Sequence, residues 1–133
     1  MAVMTTSRPI RILVLDADLV PALTVVRSLV RHHYLVDVAS AREAPIASFS
    51  RGVMDCWRYP DPLLGEEDFL AWLQDHLTTR QYDLVIPVTE RTLVPLSAHR
   101  QHFSETRLAM AEADSLNRVL DKAETFRLAE SLG

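Results

Sequence analysis

Apolar residues along this chain fall into short runs that alternate with stretches of helical spacing. Residues 10–15 (IRILVL) are apolar except for Arg11, the pattern of a parallel strand covered on both faces, and they run into the acidic loop Asp16-Ala17-Asp18. Asp18 stands where it can cap a helix carrying Leu19, Ala22, Leu23, Val26, Leu29 and Val30, with Pro21 tolerated in its first turn. Residues 34–40 (YLVDVAS) supply a second strand. After an irregular link, residues 53–59 (VMDCWRY) supply a third, which "PDP" stops. From Glu66 to about Arg80, the residues Phe69, Leu70, Leu73, His76 and Leu77 form one stripe of a helix, which leads into a fourth strand at 82–88 (YDLVIPV). The pattern then predicts a helix from about Thr92 with Pro95 in its first turn and a fifth strand at 106–111 (TRLAMA). Two closing helices follow, over about 113–120 and 122–132.

Strands alternating with helices imply right-handed crossovers, and so an α/β fold in three layers, α/β/α, around a parallel sheet of about five strands. At 133 residues and 15.1 kDa, with 48% hydrophobic and 24% charged residues, the chain suits one domain spanning 1–133. In open sheets of this kind ligands collect beyond the carboxyl ends of the strands. The loops to inspect are therefore 16–18, 40–43, 89–92 and 111–114.

Charge and composition narrow the chemistry. A net charge of −4 gives no basic field for nucleic acid or anionic lipid, although 13 arginines can still form a local anion patch. One cysteine, Cys56, makes no internal disulfide, and no signal sequence or 18-residue apolar span is present, so a cytoplasmic location without membrane contact is expected. Only three glycines occur, Gly52, Gly65 and Gly133, and none follows the first strand. A dinucleotide fingerprint and a Walker loop are both excluded. His32 and His33 are adjacent, His99 and His102 share a helical face without a third ligand, and His76 sits on an apolar stripe, so no metal site is expected.

The single lysine, Lys122, follows Asp121, which with Glu124 has the spacing of a capping box. A cation in a first helical turn is unfavourable by about 0.3–1 kcal/mol unless an anion approaches that terminus. Among polar residues at the strand ends, Thr89, Glu90 and Thr92 project into the expected crevice, with Thr92 also suited to capping. Asp18 is better explained as a cap and Asp16 as a contact for a substrate amine.

The opening "RILVLDADLVPALTVVRSLVRHHYLVDVASAREA" is similar to a response-regulator receiver domain. The similarity ends at "YDLVIPVTE", where Pro87 and Thr89 replace the phosphoacceptor and Asp83 begins the strand instead of ending it. A longer resemblance joins "ILVLDADLVPALTVVRSLVRHHYLVDVAS", "YPDP", "YDLVIPVTERTLVPLSAHR" and "LDKAETFRLAESLG". Together they resemble the N-terminal, Rossmann-like pre-ATP-grasp domain of ATP-grasp carboxylate-amine ligases, the group of carbamoyl-phosphate synthetase large chains, biotin carboxylases and D-alanine:D-alanine ligases.

That resemblance implies a substrate-binding lobe of an enzyme that phosphorylates a carboxylate with ATP and lets an amine attack the acyl phosphate. ATP and Mg²⁺ would serve the full-length protein, with Lys122 reaching the ATP phosphates and Asp16, Thr89, Glu90 and Thr92 touching substrate. The expected partners are C-terminal ATP-grasp lobes that lie outside this sequence, a small carboxylate or amino-acid-like substrate and, at most, a second copy in a homodimer. The chain alone would hold no catalytic residue and be inactive. The alternative is a free-standing ligand-binding or receiver-like signalling domain. The Asp-Ala-Asp loop departs from the small or glycine-rich residues of several relatives, and it would repel a substrate carboxylate lying directly against it.

Overall fold

A computed structural model describes residues 9–103 and Leu108. Four parallel strands form one sheet: β1 (Arg11–Val14), β2 (Leu35–Ser40), β3 (Val53–Arg58) and β4 (Leu84–Ile86), in spatial order β3-β2-β1-β4. Three helices connect or follow them: α1 (Val20–Arg31), α2 (Glu66–Thr79) and α3 (Glu90–Ala98). The central strands read as near-continuous apolar runs because both faces are covered. Leu108 makes an isolated parallel bridge to Val85, on the side of β4 away from β1. The remainder of the expected fifth strand, both closing helices and Lys122 lie outside the described residues.

Alternation of side chains along each strand sorts the core into two layers. Ile12, Val14, Val36, Val38, Leu84 and Ile86 face α1, which buries Ala22, Val25, Val26 and Leu29 against them. Leu13, Leu15, Ala39 and Val85 face the opposite way, onto Phe69, Leu70 and Leu73 of α2 and Leu96 of α3. The three-layer α/β arrangement read from the sequence is thus the observed one.

Several boundaries differ from expectation. Leu19, not Asp18, occupies the cap position of α1, and no side chain caps that helix; Asp18 turns to ion pairs described below. The helix after β4 starts at Glu90, so Pro95 is its sixth residue and lies inside it, where the ring removes one backbone donor. Thr92 is not a cap but an inward-facing residue with no exposed surface. The link between β2 and β3 carries a 3₁₀ turn, Ile46–Phe49, that packs Ala47 into the α1 layer.

Gly52 shows why one of so few glycines stands where it does. Its φ of 94° is left-handed, and a Cβ built there would lie 2.4 Å from Cγ1 of Val30. Gly52→Ala therefore combines strain with overpacking and is expected to cost about 2–4 kcal/mol of stability, measured by urea unfolding. A loss below about 0.5 kcal/mol would show that the turn relaxes freely.

Candidate functional site

At the carboxyl edge of the sheet the chain leaves β1 through Asp16, whose φ of 58° is left-handed, a conformation aspartate adopts more readily than most residues. That turn aims its carboxylate inward, where it has no exposed surface. Oδ2 accepts the backbone N–H of Thr89 at 2.9 Å and the hydroxyl of Thr92 at 2.7 Å. Oδ1 accepts Nε of Arg91 at 3.2 Å, and the Asp16 N–H donates to the Tyr59 hydroxyl oxygen at 3.0 Å. One aspartate thereby joins the ends of β1, β3 and β4 to the start of α3.

Asp18 completes the network. Its Oδ1 accepts Nη2 of Arg91 at 2.8 Å and the Ser40 hydroxyl at 2.8 Å, and Oδ2 lies 3.6 Å from Nε of Arg42. Burial pushes the Asp18 carboxyl up, but the hydrogen bonds from Arg91 and Ser40 outweigh it and hold the group below the usual carboxylate range. Burial alone would lower Arg91, yet the bond to Asp18 and the charge of Asp16 raise it further. Tyr59 is driven well above the ordinary phenol range by burial and then by the Asp16 charge, so its hydroxyl stays neutral. The acidic loop thus turns its charge onto Arg91 and Arg42, and the repulsion expected for a substrate carboxylate is largely neutralised.

Beside this network lies a surface cleft of about 1070 Å³ between the ends of β2 and β3 and the flank of α2. Its walls are Ala41, Arg42, Glu43, Arg58, Tyr59, Pro60, Asp61, Leu64 and Trp72. Arg58 donates Nε to the Ala41 carbonyl at 3.2 Å and Nη1 to Glu43 at 3.0 Å. The side chains of Arg42 and Arg58 are 75% and 61% exposed, so both guanidiniums remain open to an incoming anion. The volume falls at the upper end of small-molecule sites.

The four residues expected to touch substrate sit differently. Asp16 and Thr92 are fully buried and bonded to each other. Glu90 is exposed at the first position of α3, and Thr89 precedes it with a hydroxyl oxygen that is buried and has no hydrogen-bond partner among the described residues. Asp83 immediately precedes β4 at the opposite, amino edge, where it accepts the Arg11 N–H at 2.8 Å. Sequence reasoning missed Arg91, Tyr59, Arg42, Arg58 and Trp72. Arg91 lies in the first turn of α3 only because that helix starts at Glu90 and not at the expected Thr92, so the anion that such a cation calls for gave no signal in the sequence.

A second polar cluster lies under α2. Asp37, 1% exposed on β2, accepts the Tyr82 hydroxyl at 2.7 Å and the Trp57 indole N–H at 3.2 Å, with Arg80 at 3.6 Å. Because Tyr82 donates to Asp37, its oxygen accepts from Nε2 of His76 at 3.0 Å, which places a proton on that nitrogen. The His76 ring stacks on Trp72 at 4.7 Å and tilts against Trp57 at 4.8 Å. Burial lowers the His76 pKa below its ordinary value of 6.5, over the opposing charge of Asp37, while Arg80 lowers it further and Asp75 raises it.

The sign follows from linkage: the unfolded chain takes up a proton near pH 6.5 before the folded one does. Stability is therefore full above that pH and falls as pH drops from 6.5 toward the lower folded value. Trp57 and Trp72 are the only two tryptophans in the chain, and an imidazolium stacked on an indole quenches its emission. Native fluorescence is expected to fall with a midpoint below pH 6.5, and the transition should vanish in His76→Gln. A pH-independent emission would remove His76 as the titrating group.

The described residues thus define an α/β fold with a parallel sheet, a charge-locked carboxyl edge and an adjoining polar cleft. A similar fold occurs in the solved structure of glycinamide-RNase-transformylase T from Mycobacterium tuberculosis, with a TM-score of 0.55 and 18% identity. The match covers 74% of this chain and 28% of the transformylase, and at that identity the likeness is one of fold. No family model and no curated protein matches the chain. Among the described residues no helix is long and apolar enough to cross a membrane.

Proposed function

We propose that this chain is the substrate-binding lobe of an ATP-grasp carboxylate-amine ligase. The observation that carries the reading is the fold shared with the transformylase, an ATP-grasp family enzyme. The cleft of about 1070 Å³ at the carboxyl edge is where such a fold receives ligand, and its walls supply Arg42 and Arg58 for a carboxylate and Glu43 and Asp61 for an amine. Thr89 and Glu90 border the same edge as candidate substrate contacts. Asp16 and Thr92 serve by holding α3 against the strand ends.

The described acids are not arranged to hold a magnesium ion by protein ligands alone. Among them no three of His, Cys, Asp and Glu stand together as ligands, and Asp16 and Asp18 are committed to Arg91. In this proposal ATP and Mg²⁺ belong to partner lobes, with Lys122 as the one residue of this chain offered to the phosphates. What this lobe does is bind and orient the acid and amine partners.

The test is made on the native protein captured from its source cells with an antibody against these 133 residues. An intact mass well above 15.1 kDa, together with ADP release that depends on added carboxylate and amine, is the expected result. A mass near 15.1 kDa without nucleotide turnover would overturn the ligase reading and leave a free-standing binding domain.

A further inference from the structure

At the amino edge of the sheet, opposite the cleft described above, residues 19–36 and 44–54 contain no aspartate or glutamate, although the whole chain has 18. These two segments meet in a second pocket of about 400 Å³, lined by Arg27, Val30, Arg31, Phe49, Ser50 and Arg51. Arg27 and Arg31 are one turn apart on α1 and so share a face. Arg51 is brought beside them by the left-handed turn at Gly52, which presses the backbone onto Val30 between the two helical arginines. None of the three takes part in an ion pair among the described residues, whereas Arg42, Arg58, Arg80 and Arg91 all do.

Three guanidiniums without an ion pair among the described residues, carried on two segments free of acidic residues in a chain of net charge −4, are suited to an anion. Arginine suits phosphate because its planar fork donates two parallel hydrogen bonds. Phe49, 76% exposed at the rim, adds an aromatic face that no ring of the described residues stacks on. Charge and ring together select a phosphate ester that carries a planar group, over either part alone.

We propose that this amino-edge pocket binds a small phosphate monoester of a planar ring compound, with the arginines holding the phosphate and Phe49 stacking on the ring. The site is independent of the carboxyl-edge cleft, so it stands or falls apart from the ligase reading.

The experiment is calorimetric titration of the 133-residue chain with three probes: AMP, adenosine and inorganic phosphate. AMP is expected to bind at least about tenfold more tightly than either of the others, with affinity falling as salt rises. The double variant Arg27→Gln/Arg51→Gln should weaken AMP at least about tenfold and Phe49→Ala should weaken it severalfold, while Arg42→Gln/Arg58→Gln at the other edge should leave it unchanged. Circular dichroism and urea unfolding check that each variant is folded. Absence of AMP binding to the native chain, equal binding of AMP and adenosine or of AMP and phosphate, or loss of binding only in the Arg42→Gln/Arg58→Gln variant would overturn the assignment.

Discussion

Arg91→Met is expected to lower the unfolding free energy by about 3–5 kcal/mol, the cost of leaving a buried charge without its partner. Asp16 has no exposed surface, and Arg91 is its cationic neighbour at 3.2 Å. The same guanidinium also serves Asp18 at 2.8 Å, so its removal strands Asp16 and leaves Asp18 only Arg42, at 3.6 Å, as a cationic partner. Asp16→Asn should cost less, about 1–2 kcal/mol, because asparagine tolerates the left-handed turn and keeps an acceptor for Thr89 and Thr92.

Urea unfolding at neutral pH measures both changes, and equal losses in the two variants would show that charge is not what the network stabilises. Acid gives a further check. The depressed Asp18 pKa contributes stability that is complete above the ordinary value of 3.8 and is lost as pH falls through the lower folded value. In Arg91→Met that part of the acid sensitivity should shrink.

The second large effect is expected at Asp37. Asp37→Ala leaves the Trp57 N–H without its acceptor, deprives the Tyr82 hydroxyl of the carboxylate it donates to, and opens a void between the sheet and α2, for an expected loss of about 2–4 kcal/mol. Arg80 keeps Asp55 at 3.2 Å and the Trp57 ring at 4.6 Å, which softens the loss on that side. Asp37→Asn preserves the acceptor oxygen and should fall within about 1 kcal/mol of the native chain. If alanine and asparagine proved equally damaging, hydrogen-bond satisfaction would not be what the site requires.

These two networks also mark where the sequence stopped being informative. The strands were legible because "ILVL", "LVDVA" and "LVI" are buried on both faces and need no partner to be recognised. The helix α2 was legible because Phe69, Leu70, Leu73 and His76 repeat on one face, and all four are buried in the structure. The cap at Asp18 was misread because local spacing favours a cap, while the tertiary fold brings Arg91, 73 residues away, within 2.8 Å of the same carboxylate.

The start of α3 was placed two residues late for a related reason. Pro95 suggests a first turn, but a helix can carry proline at its sixth position when its lost bond is offset by packing, and Pro95 and Leu96 are both buried. The earlier start places Arg91 in the first turn of α3, where a cation calls for a nearby anion. Its anions, Asp16 and Asp18, were visible in the sequence but not their proximity. The carboxyl-edge cleft was anticipated only as a location, since Arg42, Arg58 and Trp72 reach it from the loop after β2, from β3 and from α2 and share no local motif.

The outer edge of β3 is hydrogen-bonded to no other described strand, and an open edge of this kind is a template on which another chain could assemble. The register along β2 and β3 shifts by one residue, since Val36 faces Val53 while Val38 faces Cys56, and such an irregularity bends the edge out of the flat geometry that stacking needs. Asp55, in the middle of that strand and paired with Arg80, adds a charge that a docking strand would have to desolvate. The exposed Met54 and Cys56 flank that charge on either side. One offset residue and one aspartate on the outermost described strand thus each weigh against strand-on-strand assembly at that edge.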